Sequence, residues 1–293
     1  MTAATELDWT VALAAARARA LSAGALVPIA VEGEIVVDNG VEFRVEWISS
    51  LAMKDMAAIP RVGDKAKDFN PFLPYDENLF VTEVSDTHVA ILNKFPSWDG
   101  HFLLITRAFV EQESPLDIAD ADALARALSG VDGYAFYNSG GAAGASQRHR
   151  HLQIIPGFVT PIARLLPADI PLHVMSAAPR LPYRHAYCRL DRAKFERGGA
   201  DGAFLHGLIT EACRTAGLDP TAKTMAPYNL MASRDWLIVT PRATETVDGL
   251  SLSALSYSGL IGLRTPDQIE TVRRIGPFSM LEQAAGQARS SGL

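Results

Sequence analysis

The residues best suited to chemistry lie in Ser146-Gln147-Arg148-His149-Arg150-His151-Leu152-Gln153-Ile154-Ile155-Pro156. Side chains on a strand alternate faces, so His149, His151 and Gln153 share one face while Leu152 and Ile154 point into a core. On a helix, positions two apart diverge, and the same spacing brings nothing together. Three readings of the polar face are open. It is a solvent-facing strand that carries two histidines by chance. It is a His-x-His chelate for a metal such as zinc, although no neighbouring Cys or carboxylate supplies further ligands. Or it carries a nucleophilic histidine held in one tautomer by its neighbours.

The preceding loop bears on the choice. Gly144-Ala145-Ser146-Gln147 offers small residues, main-chain N–H groups and a hydroxyl beside the histidines. Such a loop is either an ordinary turn or a cradle for phosphate oxygens. The elements that must position it follow from periodicity and punctuation. Helices are predicted over 5–23, 118–128, 203–216 and 266–274. Strands are predicted over 43–50, 79–84, 88–93, 101–106, 134–137, 149–155, 186–190, 228–232, 235–240 and 252–264. The proline-punctuated stretch 70–76 reads as a loop, and 157–184 as a linker between two halves. The fold class is α+β, with mainly antiparallel β-sheets flanked by helices.

Composition narrows the partners. With 48% hydrophobic and 20% charged residues, the chain reads as globular. A net charge of −6 argues against a nucleic-acid partner but leaves room for a small polyanion in a local basic pocket. Cys188 and Cys213 are too few and too scattered for a disulfide framework or a zinc motif, and they read as buried packing residues in a cytoplasmic protein. No apolar run reaches the ~18 residues of a membrane span, and the N-terminus lacks a secretory pattern.

The strand and its surroundings resemble the histidine-triad (HIT-like) superfamily, in its His-x-His-x-Gln transferase branch. Within that branch the chain is similar to the diadenosine tetraphosphate (Ap4A) phosphorylases, or ATP adenylyltransferases. The likeness extends over Lys54, Asn70-Pro-Phe-Leu-Pro-Tyr-Asp76, Asn93-Lys-Phe-Pro96, His101-Phe-Leu-Leu-Ile-Thr106, Tyr137-Asn-Ser-Gly140 and Gly144 to Gln147. In the second half it takes in Tyr228-Asn-Leu230, Trp236 to Arg242 and Leu250 to Thr265.

The resemblance implies phosphorolysis of diadenosine tetraphosphate by phosphate to ATP and ADP, reversibly, through an adenylyl group on His151. It implies His151, Gln153 and His149 as the catalytic group, with His149 orienting the strand. It implies substrate contacts from Lys54, Asn93, Asn138, Gly144, Ala145, Ser146, Gln147, Ser253, Ala254, Leu255, Leu260 and Arg264. Ala254, Leu260 and Arg264 depart from the family's usual Ser, Met and Lys. Gln153 stands where hydrolases of the superfamily carry a third histidine. An amide donates to a phosphate oxygen but cannot relay a proton, which suits transfer to an anionic acceptor better than hydrolysis. Magnesium is expected on the substrate's phosphates rather than on a protein carboxylate cluster. Residues 1–165 form the expected catalytic region and 166–293 complete the nucleotide site, in one compact monomer. His101 opens a strand, which suits a structural histidine or a helper, and Trp98 suits a base pocket or a loop cap. The alternatives are a nucleotidyltransferase acting on a nucleotide sugar, disfavoured by Arg150 and Leu152 where uridylyltransferases carry prolines, and a non-catalytic sensor of diadenosine polyphosphates.

Overall fold

The computed structural model describes residues 8–49, 70–196 and 201–287. Lys54 and residues 5–7 of the first predicted helix lie outside these. Helix α1 (Trp9–Ser22) starts where the Asp8 side chain accepts from the Val11 N–H, and it buries the small Ala16 and Ala20. A hairpin follows, β1 (Val31–Asp38) and β2 (Val41–Ile48). Then come β3 (Phe80–Glu83), β4 (His88–Leu92) and β5 (Phe102–Thr106). Helix α2 (Ile118–Gly130) is set by a reciprocal cap between Asp117 and Asp120. It leads into β6 (Gly133–Ser139) and, past the small-residue loop, β7 (His151–Pro156).

The second half adds β8 (Met175–Ser176), β9 (Ala186–Arg189), α3 (Arg192–Glu196), α4 (Gly202–Thr215), β10 (Tyr228–Ala232) and β11 (Trp236–Pro241). It ends with β12 (Thr246–Val247), β13 (Leu250–Ser251), α5 (Ala254–Tyr257), β14 (Leu260–Leu263), α6 (Ile269–Ile275) and α7 (Pro277–Ala284).

Nine strands make one antiparallel sheet in the order β3-β4-β5-β7-β6-β10-β11-β9-β8. The two halves meet at its centre, where β6 pairs with β10 and Asn138 lies opposite Asn229. The sheet is covered on both sides, so its central strands are buried throughout rather than alternately. Alternation still sorts the side chains. Ala135, Tyr137, Leu152 and Ile154 join the core beneath α1, α2 and α4. Tyr134, Phe136 and Ile155 face the other way, toward the sheet β1-β2-β14 and helices α6 and α7. The fold is thus α+β, with a large antiparallel sheet flanked by helices, as expected.

Two expectations among these are corrected, and one strand is added. The span 252–264 is not one strand. Ser253 and Ser256 cap each other to start α5, and Gly259 at φ +94° turns the chain before β14 runs parallel to β2. The histidine strand begins at His151 and not at His149, which makes an isolated bridge to Glu111. β1 has no counterpart among the predicted strands, because exposed Glu32, Glu34, Ile35 and Val37 leave it without a clean apolar face. No described helix is long and apolar enough to cross a membrane.

Candidate active site

A cavity of about 740 Å³ opens over β5 and β7. Pro71, Phe72, Pro74, Tyr75, Leu79 and Phe95 give it apolar walls, while Asn93, Ser146, Gln147, His151 and Gln153 supply polar groups. This mixture suits a flat base with a polar tail. Lys94 and Asp76 are the charged residues among its described lining.

His151 is oriented by its own strand. Its Nδ1–H donates to the His149 carbonyl at 2.8 Å, which leaves the unprotonated Nε2 for the cavity. Burial pushes its pKa down to about 4, against a smaller opposing effect of the His149 carbonyl. The ring is therefore neutral at pH 7, with an available lone pair. Phe72 packs 5.4 Å from it, centroid to centroid.

The His149 ring has both nitrogens engaged. Asn70 Nδ2 donates to Nδ1 at 2.9 Å, and Nε2–H donates to the Thr106 carbonyl at 2.8 Å with Thr106 Oγ1 equally close. Phe72 and Phe109 edge onto it, and it does not line the cavity. Its carbonyl, not its imidazole, touches His151.

His101 orients Gln153. Asn93 Nδ2 donates to His101 Nδ1 at 3.2 Å, which fixes the proton on Nε2, and Nε2–H donates to Gln153 Oε1 at 3.1 Å. With its oxygen so held, Gln153 turns its NH₂ group, two donors, to the cavity. Burial pushes His101 down to about 4 as well, so the ring stays neutral.

The loop from Gly140 to Gln147 is less open than its composition suggests. The N–H groups of Ala143 and Ala145 bond to the Gly140 carbonyl and that of Gly144 to Gly141, so these three are closed off as donors. Ser146 and Gln147 lie beyond this turn and line the cavity. Gly144 has φ +90°, and a Cβ there would sit 2.8 Å from the Leu252 carbonyl and from Ser253 Cβ. Only glycine lets the loop approach the second half so closely.

Residues of that half fasten the loop. Ala254 N–H and Asn229 Nδ2 both donate to Asn138 Oδ1, at 2.9 and 2.8 Å, and Asn229 Nδ2 also reaches the Ala143 carbonyl. Buried Arg242 donates to Asn229 Oδ1 at 2.7 Å and to the Leu252 carbonyl at 2.9 Å. Ser253 and Ala254 thus adjoin the site. Leu255 is half-buried beside them. Leu260 instead lines a separate cavity of about 420 Å³ with Arg44, Trp98 and Phe158, and exposed Arg264 lines neither.

The sequence reading left Gln112, Asn229 and Arg242 without roles. Asn229 and Arg242 lie within motifs of the resemblance, whereas nothing local marks Gln112, and the partners of all three are distant in sequence. Among the described residues no group of three or more His, Cys, Asp or Glu could hold a metal.

Comparison with known proteins agrees with the geometry. Residues 3–175 match the Ap4A phosphorylase N-terminal domain model, and 179–287 match the ATP adenylyltransferase C-terminal domain model. The chain is 27% identical over 259 residues to diadenosine 5',5'''-P1,P4-tetraphosphate phosphorylase 2 of Saccharomyces cerevisiae, covering 79% of each. Its fold matches the crystal structure of yeast Ap4A phosphorylase Apa2 with a TM-score of 0.76 at 20% identity, over 96% of this chain and 98% of that one. The Apa2 complex with Ap4A gives 0.74 at 21% identity, over 96% and 98%. With one model matching more than half its length and the second continuing to residue 287, the chain belongs to the Ap4A phosphorylase family.

Proposed function

We propose that this nucleotidyltransferase cleaves diadenosine tetraphosphate with phosphate through an adenylyl group carried on His151. The observation that carries the reading is the His151 tautomer, with Nδ1–H committed to the His149 carbonyl and a neutral Nε2 at the cavity. Nε2 attacks the α-phosphorus, the bond to the bridging oxygen breaks, and ATP leaves with that oxygen. An oxygen of inorganic phosphate then attacks the same phosphorus, the P–N bond breaks, and ADP departs. Splitting one displacement into two lowers each barrier. The Gln153 amide and the Ser146 and Gln147 positions act as donors to the phosphoryl oxygens as charge shifts. Neither leaving group nor acceptor needs a proton relay, which agrees with an amide at 153. The relative named for phosphorolysis of this dinucleotide supports the substrate.

Magnesium, on this reading, arrives on the substrate's phosphates and screens their charge. The working unit is a monomer, since the groups around the loop come from both halves of one chain, and the compartment is the cytoplasm. Light scattering at working concentration tests the first point, and a stable dimer would count against it.

The direct test omits phosphate. Labelled diadenosine tetraphosphate should leave adenylyl label on His151, stable to alkali and discharged as ADP when phosphate is added. His151→Ala should lose about 10³-fold or more in turnover. Label on another residue, or none in an active preparation, refutes the assignment.

A further inference from the structure

The strands β6 and β7 part company at the nucleophile. Their register runs Gly133↔Pro156, Tyr134↔Ile155, Ala135↔Ile154 and Phe136↔Gln153, where it stops. Each pair sums to 289, so the next pair of the same kind would be Asn138 with His151. That rung is missing. In its place lies the side chain of Gln112, only 1% exposed, from the segment that follows β5. Gln112 Oε1 accepts from the His151 N–H at 2.9 Å. Its NH₂ donates to the Asn138 carbonyl at 2.8 Å and to the His151 carbonyl at 3.2 Å.

We propose that Gln112 is a positioning residue for His151, its carboxamide replacing the main-chain rung that β6 and β7 do not make. A carboxamide has the donor and acceptor of a peptide group, so it satisfies both strand edges while holding them apart. The inserted amide is itself fixed. Gln112 N–H donates to the Arg148 carbonyl at 2.7 Å, and the Tyr137 hydroxyl donates to the Gln112 carbonyl. The main chain of His151 is thereby held at the point from which its ring reaches the His149 carbonyl, and that contact selects the tautomer. Asn138, on the far side of the insert, is the residue that the second half grips through Ala254 and Asn229. One side chain thus joins the nucleophile's strand to the anchor of the phosphate-facing loop. Few residues could serve. Asn falls short, and Glu as the anion would turn acceptors toward two carbonyls.

The inference rests on His151 as the nucleophile, and two readouts separate the two ideas. Gln112→Met keeps length and apolar bulk but makes no hydrogen bond. It should lower kcat by about 10- to 100-fold, as for a misplaced reacting group, and change KM by less than about threefold. Independently of activity, it should speed hydrogen exchange at the His151 amide by about tenfold or more relative to amides of β11. Gln112→Glu supplies the distinguishing result. When protonated, its carboxyl accepts from His151 and donates to Asn138, as the amide does; burial raises its pKa. Its kcat relative to wild type should rise about tenfold as the pH falls from 8 to 6, while the Met variant shows no such rise. A pH-independent Glu-to-wild-type ratio, or an unchanged His151 exchange rate in the Met variant, overturns the proposal. If wild type carries no adenylyl label on His151 but the exchange rate responds as expected, the nucleophile assignment fails and the structural insertion stands.

Discussion

Replacing His101 by Phe tests whether the Gln153 amide works because it is aimed. The phenyl ring keeps the packing beside Phe136, 5.9 Å away centroid to centroid, but lacks both ring nitrogens. Two contacts vanish, Asn93 Nδ2 to Nδ1 and Nε2–H to Gln153 Oε1. Gln153 is then free to turn about its last torsion and to offer the cavity an oxygen, an acceptor facing anionic oxygens. Deleting a positioned transition-state donor outright costs about 10²- to 10³-fold in rate. A donor still present but no longer held costs less, so kcat should fall about 10- to 100-fold, equivalent to about 1.4–2.7 kcal/mol. Stability should fall by only about 1 kcal/mol, because Asn93 and Gln153 line the cavity and water can take over the hydrogen bonds of the lost ring nitrogens. The assay is a double-mutant cycle on kcat with Gln153→Ala, checked by thermal unfolding of each variant. If His101 acts through Gln153, its removal costs little once Gln153 is gone. Full additivity, with a similar loss in both backgrounds, refutes the account.

Gln153→His should raise the ratio of AMP, formed by water, to ADP, formed by phosphate; product chromatography with an unchanged ratio counts against the proton-relay argument. Stability should depend on pH through His101 and His151. Both protonate near pH 4 in the fold against 6.5 when free, so the unfolded chain takes up protons first. Their contribution is complete above pH 6.5 and declines as the pH falls toward 4, by up to about 1.4 kcal/mol per pH unit for each ring. Urea unfolding should show a shallower acid slope in His101→Phe than in wild type, and equal slopes would contradict the burial argument. Arg242→Met should weaken phosphorolysis by disordering the Gly140–Gln147 loop, with faster proteolysis near the loop as the check; an intact loop in an inactive variant would assign Arg242 another role.

The strand assigned the chemistry in the proposed function was legible because period-two alternation is a local signal. His151 and Gln153 face the cavity while Leu152 and Ile154 enter the core, as alternation requires. Helices α2 and α4 were legible for a similar reason, since helical apolar spacing is also local; in the structure Asp117 and Asp201 cap their starts. The error at 252–264 arose from a hydroxyl-rich apolar run whose Ser253–Ser256 cap outweighs strand propensity. What could not be read was long-range. Gln112 is an isolated glutamine in a turn until β6 and β7 diverge beside it. Arg242 is one more arginine until its carbonyl partners, gathered from residues 143, 244, 245 and 252, surround it. The loop's composition advertised free N–H groups, but main-chain turn bonds consume those of 143–145.

The pairing of β6 with β10 at the centre of the large sheet bears on how the chain is made. Until Tyr228–Ala232 has left the ribosome, the outer edge of β6 has no partner, and its side chains Tyr134, Phe136 and Tyr137 are among the most buried in the finished molecule. The interval from Ser139 to Tyr228 is 228 − 139 = 89 residues. At about 5–20 residues per second this amounts to roughly 4–18 s of synthesis with an open, apolar sheet edge. Such an edge templates pairing with any neighbouring chain. The nascent first half is therefore the stage at which the unpaired edge of β6 is most open to such pairing. A gene cut between the two matched segments should yield an insoluble first product, soluble when the second segment is co-expressed, and a first product that stays soluble alone would count against the open edge.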